Sequence, residues 1–293
     1  MMSQESVTMQ LSSGHTLGYA VHGPSSGFPI FFPHGFPSSR LEACWLSKAA
    51  HKVGVKFIAP DRPGIGLSTR DPNRTLLQFP NLISQLATHW VLSNLVSSAA
   101  LEEAHIPFAC AKVLPPSQLV SVGIVAGFGP PSLGFEGMSV GNKFLLGLQW
   151  CPSLIQKLME WTFMRSARNP DPEVFRAESE KAVEVFEKDA IEGGELFQAC
   201  VGGAREHWRQ GRGGFVDDGR VVVAPWGFEL EDVEFEGVQL FYGTADTKTP
   251  VSIGRQIAAR LKKAVLTEYE GETHMSIVDH TEDMLRKLVV ERK

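Results

Sequence analysis

Apolar and polar residues alternate along this chain with two different periods. Val7–Leu11 and Thr16–His22 alternate with period two around Ser-Ser-Gly, which predicts a hairpin. Pro29–Phe32 is short, wholly apolar and flanked by proline, as a strand buried on both faces requires. Arg40–Lys52 switches to helical spacing, with Leu41, Cys44, Leu46 and Ala49–Ala50 on one stripe. Val53–Pro60 predicts the next strand, and the β-branched run Leu119–Ala126 predicts a central one. From about Gly134 to Gly214 the pattern is helical, with Trp150, Trp161 and amphipathic runs such as Glu173–Phe197. Val238–Tyr242 and Ala264–Tyr269 return to strand. Pro250–Leu261 and Met275–Val290 predict helices, the first opened by proline and the second closed by Lys and Arg.

Strands alternating with helices indicate an α/β protein. At 293 residues the chain can form one large domain with an insertion, or two small domains. Hydrophobic residues at 43% and charged residues at 21% fit a globular enzyme. A net charge of −5 argues against nucleic acid as a partner. Cys44, Cys110, Cys151 and Cys200 show no C-x-x-C spacing, so reduced thiols in a cytoplasmic protein are expected. The N-terminus has neither the basic start nor the apolar core of a secretion signal, and no apolar run reaches membrane-spanning length. Asp61–Ser68 is rich in turn formers but lacks a lysine at Walker spacing, so no nucleotide phosphate is expected there. Gly213–Asp218 is expected to be a loop, with Asp217 and Asp218 as solvated turn carboxylates rather than metal ligands. No cofactor or metal is expected.

Five stretches carry the chemistry: FFPHGFPSSR from Phe31, FIAPDRPGIGLS from Phe57, APWGFELEDV from Ala224, LFYGTADTKTP from Leu240 and YEGETHMSI from Tyr269. In this order, and over nearly the whole chain, they resemble the α/β-hydrolase superfamily. The resemblance implies a mostly parallel sheet flanked by helices, with residues 1–127 and 237–293 as core and 128–236 as an inserted helical cap. It implies Asp246 as the acid and His274 as the base of a catalytic triad. The backbone N–H of Phe36 would serve the oxyanion hole, with His34 and Gly35 beside it in the pocket. Such a donor stabilises the developing charge by roughly 3 kcal/mol.

One part of that pattern is missing. The family's G-x-S-x-G elbow should follow the D-R-P-G-x-G-x-S turn, and none occurs. Aligning Phe108–Pro116 with the helix after the elbow puts the nucleophile at about Leu101, which has no nucleophilic group. Ser97 and Ser98 lie upstream without flanking glycines. Allowed codons for Ser97–Ile106, read two bases further on, spell Leu-Gly-Cys-Ser-Gly-Gly-Gly-Pro-Tyr, a well-formed elbow. Residues from about Trp90 to Pro107 are therefore read as out of frame with the ancestral gene. Three functions stay open. One is a hydrolase of a small, apolar ester, amide or related carbonyl substrate, with secondary metabolism as a candidate setting. The others are an inactive pseudohydrolase that binds ligand in the old pocket, and a non-covalent lyase or cyclase using the His–Asp pair. Neither the substrate nor the oligomeric state is legible.

Overall fold

A computed structural model describes residues 4–92, 95–102, 104–134, 136–138, 157, 164–186 and 194–290. Strands β1 (Gln4–Gln10) and β2 (Thr16–His22) form the predicted hairpin, in register from Met9 opposite Leu17 to Gln10 opposite Thr16. Gly14 turns the chain there with φ +81°, a conformation glycine adopts without steric cost. Next come β3 (Phe28–Phe31), α1 (Ser47–Val53) and β4 (Val55–Pro60). After them follow α2 (Phe79–His89), β5 (Leu95–Glu102), α3 (His105–Val113) and β6 (Leu119–Gly127). The described strands form one sheet in the order β1-β2-β4-β3-β5-β6-β7-β8, where β7 is Val238–Gly243 and β8 is Ala264–Tyr269. Pairing is antiparallel through β2 and β4 and parallel from β4 onward.

The parallel strands are apolar because helices cover both faces of the sheet. Successive residues feed opposite layers. Ile124 and Leu240 pack into the layer of α2 and α3, with Leu86 and Phe108. Val125 and Phe241 pack into the layer of α1, with Ala50. Helix α4 (Val251–Arg260) joins the first layer through Ile253 and Ile257, and α5 (Thr281–Val290) joins the second through Leu285 and Leu288.

Between β6 and β7 the described residues include the longer helices Pro172–Phe186, Glu195–His207 and Arg212–Val223. To keep chain order these are written αA, αB and αC. The amphipathic run Glu173–Phe197 is not one helix: αB starts anew after Gly194, whose φ is +46°. The expected loop Gly213–Asp218 is also corrected, since these residues lie inside αC. Its glycines are weak helix formers, but tertiary contact overrides propensity: a Cβ on Gly214 would collide with the Gly64 carbonyl. Trp150, Trp161 and Cys151 lie outside the described residues. Among the described residues no helix is long and apolar enough to cross a membrane, and no group of acidic, His or Cys side chains could hold a metal.

Candidate active site

The C-terminal ends of parallel strands are where open α/β sheets gather ligands, and the predicted residues sit there. After β7 the chain turns through Thr244–Pro250. Asp246 shapes this turn: its Oδ1 accepts from the backbone N–H of Lys248 (2.7 Å) and of Thr249 (2.8 Å). Its Oδ2 accepts from Thr249 Oγ1 (2.7 Å) and from His274 Nδ1 (2.8 Å). Thr249 Oγ1 also lies 3.0 Å from His274 Nδ1.

The two loops are brought together by backbone contacts. Thr244 N–H donates to the Tyr269 carbonyl and Ala245 N–H to the Glu272 carbonyl, both at 3.0 Å. Gly243 permits this approach, because any Cβ there would collide with the Glu272 carbonyl oxygen. Asp246 and His274 are both buried. Burial works to raise the Asp246 pKa, but the His274 hydrogen bond and charge, with the Thr249 donors, outweigh it and hold it below the usual carboxylate value. With Nδ1–H given to the carboxylate, the neutral imidazole carries its lone pair on Nε2, the tautomer a general base needs.

The remaining predicted residues lie in the loop after β3. His34 Nδ1 donates to the Gly35 carbonyl (2.9 Å), and His34 Nε2 accepts from the Arg62 backbone N–H (3.3 Å). Both ring nitrogens are thus committed to backbone partners, so His34 holds the loop's shape and offers no polar atom to a ligand. Burial and the Arg62 charge push its pKa well down, so it is neutral. The Arg62 guanidinium donates to the His34 carbonyl (2.6 Å) and to the Gly35 carbonyl (3.0 Å). Gly35 N–H donates to Glu42 Oε2 (2.8 Å). Among the described residues nothing accepts from the Phe36 N–H. The Phe36 ring stacks on Phe215 of αC (centroids 5.0 Å apart) and meets His207 of αB edge-on (5.7 Å).

Asp217 and Asp218 are not solvated turn carboxylates, which corrects the sequence expectation. Asp218 is buried and takes Arg62 on Oδ2 (2.7 Å) and Arg74 on Oδ1 (2.8 Å). Asp217 pairs with Arg70 (2.6 Å). These guanidiniums occupy the oxygens a metal would need. A cleft of about 730 Å³ opens at the start of αC, lined by Arg70, Arg168 and Arg212 among others, but by none of the residues predicted for catalysis.

The strand expected to end in the elbow runs further than the alignment placed it. β5 pairs with β6 through Glu102 opposite Gly127, and α3 begins at His105. Leu101 is therefore a strand residue, four positions before the helix starts. Position 103 and the side chains of Ser97, Ser98 and Leu101 lie outside the described residues. Sequence reasoning missed Thr249, Arg62 and Asp218. Thr249 could have been found, since Asp-x-x-Thr after a strand is an Asx-turn signal. Asp218 had no local signal.

No protein-family model and no curated protein matches the chain. Solved structures do match in fold. An esterase from Rhodococcus sp. superposes with a TM-score of 0.67 at 15% identity, covering 100% of both chains. The enol-lactonase from Burkholderia xenovorans gives 0.67 at 15% identity over 97% of this chain and 100% of its own. E-2-(acetamidomethylene)succinate hydrolase gives 0.69 at 13% identity over 97% and 99%. The fold is the α/β-hydrolase fold.

Proposed function

We propose that this site is laid out to hydrolyse a small, apolar ester, amide or related carbonyl substrate, with residues 128–236 as its cap. The observation that carries the reading is the buried Asp246–His274 pair, joined at 2.8 Å on the strand-end edge of the sheet. His274 would take the proton of the attacking hydroxyl and return it to the leaving group. Asp246 holds the imidazole in the required tautomer and stabilises its charged form. The Phe36 N–H would bind the oxyanion. The attacking serine is the part this chain lacks, and we attribute that to the frame of residues 90–107.

The test compares the chain as written with one carrying Leu-Gly-Cys-Ser-Gly-Gly-Gly-Pro-Tyr across the turn. The restored chain is expected to react with a fluorophosphonate probe and to cleave short aryl esters, and to lose both with His274→Ala. A restored, folded chain that does neither defeats the proposal. The genomic and messenger sequences across codons 89–109 test the frame separately. A second reading, acid–base chemistry without a covalent step, has one observation in its favour: residues 102–104 are Glu-Glu-Ala, with no hydroxyl or thiol at the turn. Turnover by the chain as written, without probe labelling, selects it.

A further inference from the structure

We infer that Arg62, fixed in place by Asp218, is the positioning residue that sets the direction of the Phe36 N–H. The inference rests on the reading of Phe36 as the oxyanion donor, and its geometry is that of a peptide plane. In a trans peptide the C=O and the following N–H point in opposite directions. The Gly35 carbonyl and the Phe36 N–H belong to one such plane. That carbonyl accepts from Arg62 Nη2 (3.0 Å) and from His34 Nδ1 (2.9 Å), which uses both of its lone pairs and leaves the plane no freedom to rotate. The preceding plane is fixed likewise: its carbonyl, on His34, accepts from Arg62 Nη1 (2.6 Å), and its N–H, on Gly35, donates to Glu42 (2.8 Å). One guanidinium therefore sets two consecutive peptides, and the N–H of Phe36 must point away from it.

The fork of Arg62 is itself held. Its Nε donates to Asp218 Oδ2 at 2.8 Å, and Nη2 lies 2.7 Å from the same oxygen. Asp218 Oδ1 is taken by Arg74 (2.8 Å). Arg62 and Asp218 are each 2% exposed, so water does not compete. Asp218 stands 156 residues from Arg62, on αC. A helix inserted between β6 and β7 thus orients a guanidinium that orients a core loop. Lysine could keep the charge opposite Asp218 but could not span two carbonyls.

The test reads the N–H vectors directly in the full chain as it exists, through backbone amide order parameters. The native Phe36 amide is expected near the rigid value of about 0.85, falling below about 0.6 in Arg62→Lys, with αC amides unchanged. Asp218→Asn, which leaves the fork but loosens its anchor, is expected to give an intermediate value, and it decides the matter if Arg62→Lys does not fold. In the elbow-restored chain, Arg62→Lys is expected to lower kcat about tenfold with KM unchanged. A Phe36 amide that stays rigid overturns the inference. So does order lost equally along αC, which would mark a merely structural role, or an unchanged kcat beside a loosened amide. A loosened amide with no turnover in any chain sinks the hydrolase reading and leaves the loop assignment standing.

Discussion

The two flanks of the proposed site, the acid–base pair Asp246–His274 and the oxyanion loop His34–Phe36, are held by different means. On the acid–base flank, Asp246 is fixed by its own neighbours: the N–H groups of Lys248 and Thr249 and the Thr249 hydroxyl lie within three residues of it. The contact with His274 is then made by two adjacent strand ends. On the oxyanion flank almost nothing is local. His34–Phe36 is held by Arg62 from the next strand end, by Glu42, and through Arg62 by Asp218 on an inserted helix. Its aromatic packing comes from αB and αC as well. Damage to the insertion should therefore weaken the oxyanion flank and spare the acid–base flank.

The largest expected effect lies between the flanks. Supplying a serine at the strand-to-helix turn should raise ester turnover on the order of 10⁶-fold if both flanks are competent, and steady-state kinetics on an aryl ester measures it. The restored chain should also give more soluble protein, because charged side chains near the end of a central strand are costly where unpaired. Next comes the acid–base flank. Asp246→Asn in the restored chain should cost about 10⁴ in kcat by disfavouring the working tautomer, with little change in the melting temperature.

Asp218→Ala should invert that result. It leaves Arg62 and Arg74 buried without their shared carboxylate, a loss of about 3–5 kcal/mol in stability measured by denaturant unfolding. Its effect on kcat should be far smaller than that of Asp246→Asn. The acid limb of stability carries the same signature. Burial works to raise the Asp218 pKa, but Arg62 and Arg74 win and hold it well below the usual range. A depressed carboxylate contributes stability above its unfolded pKa of about 3.9 and loses it as pH falls toward the folded value. The native chain should therefore lose stability steeply below about pH 4, and Asp218→Ala should show a shallower slope there. The smallest effect is expected from Thr249→Val. It removes one of the donors that hold the Asp246 pKa down, costs about 1 kcal/mol, and should shift the acid limb of kcat/KM slightly upward.

The contrast between the flanks also marks what could be read in advance. The strands and the hairpin follow from short-range pattern, because each is set by residues within a few positions, while Asp246 and His274 were singled out only through the resemblance of the motifs that carry them. The helix αC did not follow: Gly213, Gly214 and Gly219 argue against it locally, and only the Gly64 turn and the arginines it meets favour it. Asp217 and Asp218 looked like solvated turn carboxylates for the same reason. The end of β5 was misplaced because its length is set by pairing with β6 out to Gly127, which no property of residues 95–102 announces.

By itself the amino-acid order determined the alternation of strand and helix, the apolar layers and the local turn that presents an acid three residues before a threonine. Those depend on periodicity and on side chains bonding their own backbone, both short-range. Only the folded arrangement decided which carbonyls one arginine would grip, and from which distant helix that arginine would be held. Charges buried together choose their partners by proximity in space, and proximity across some 150 residues of chain exists only after folding.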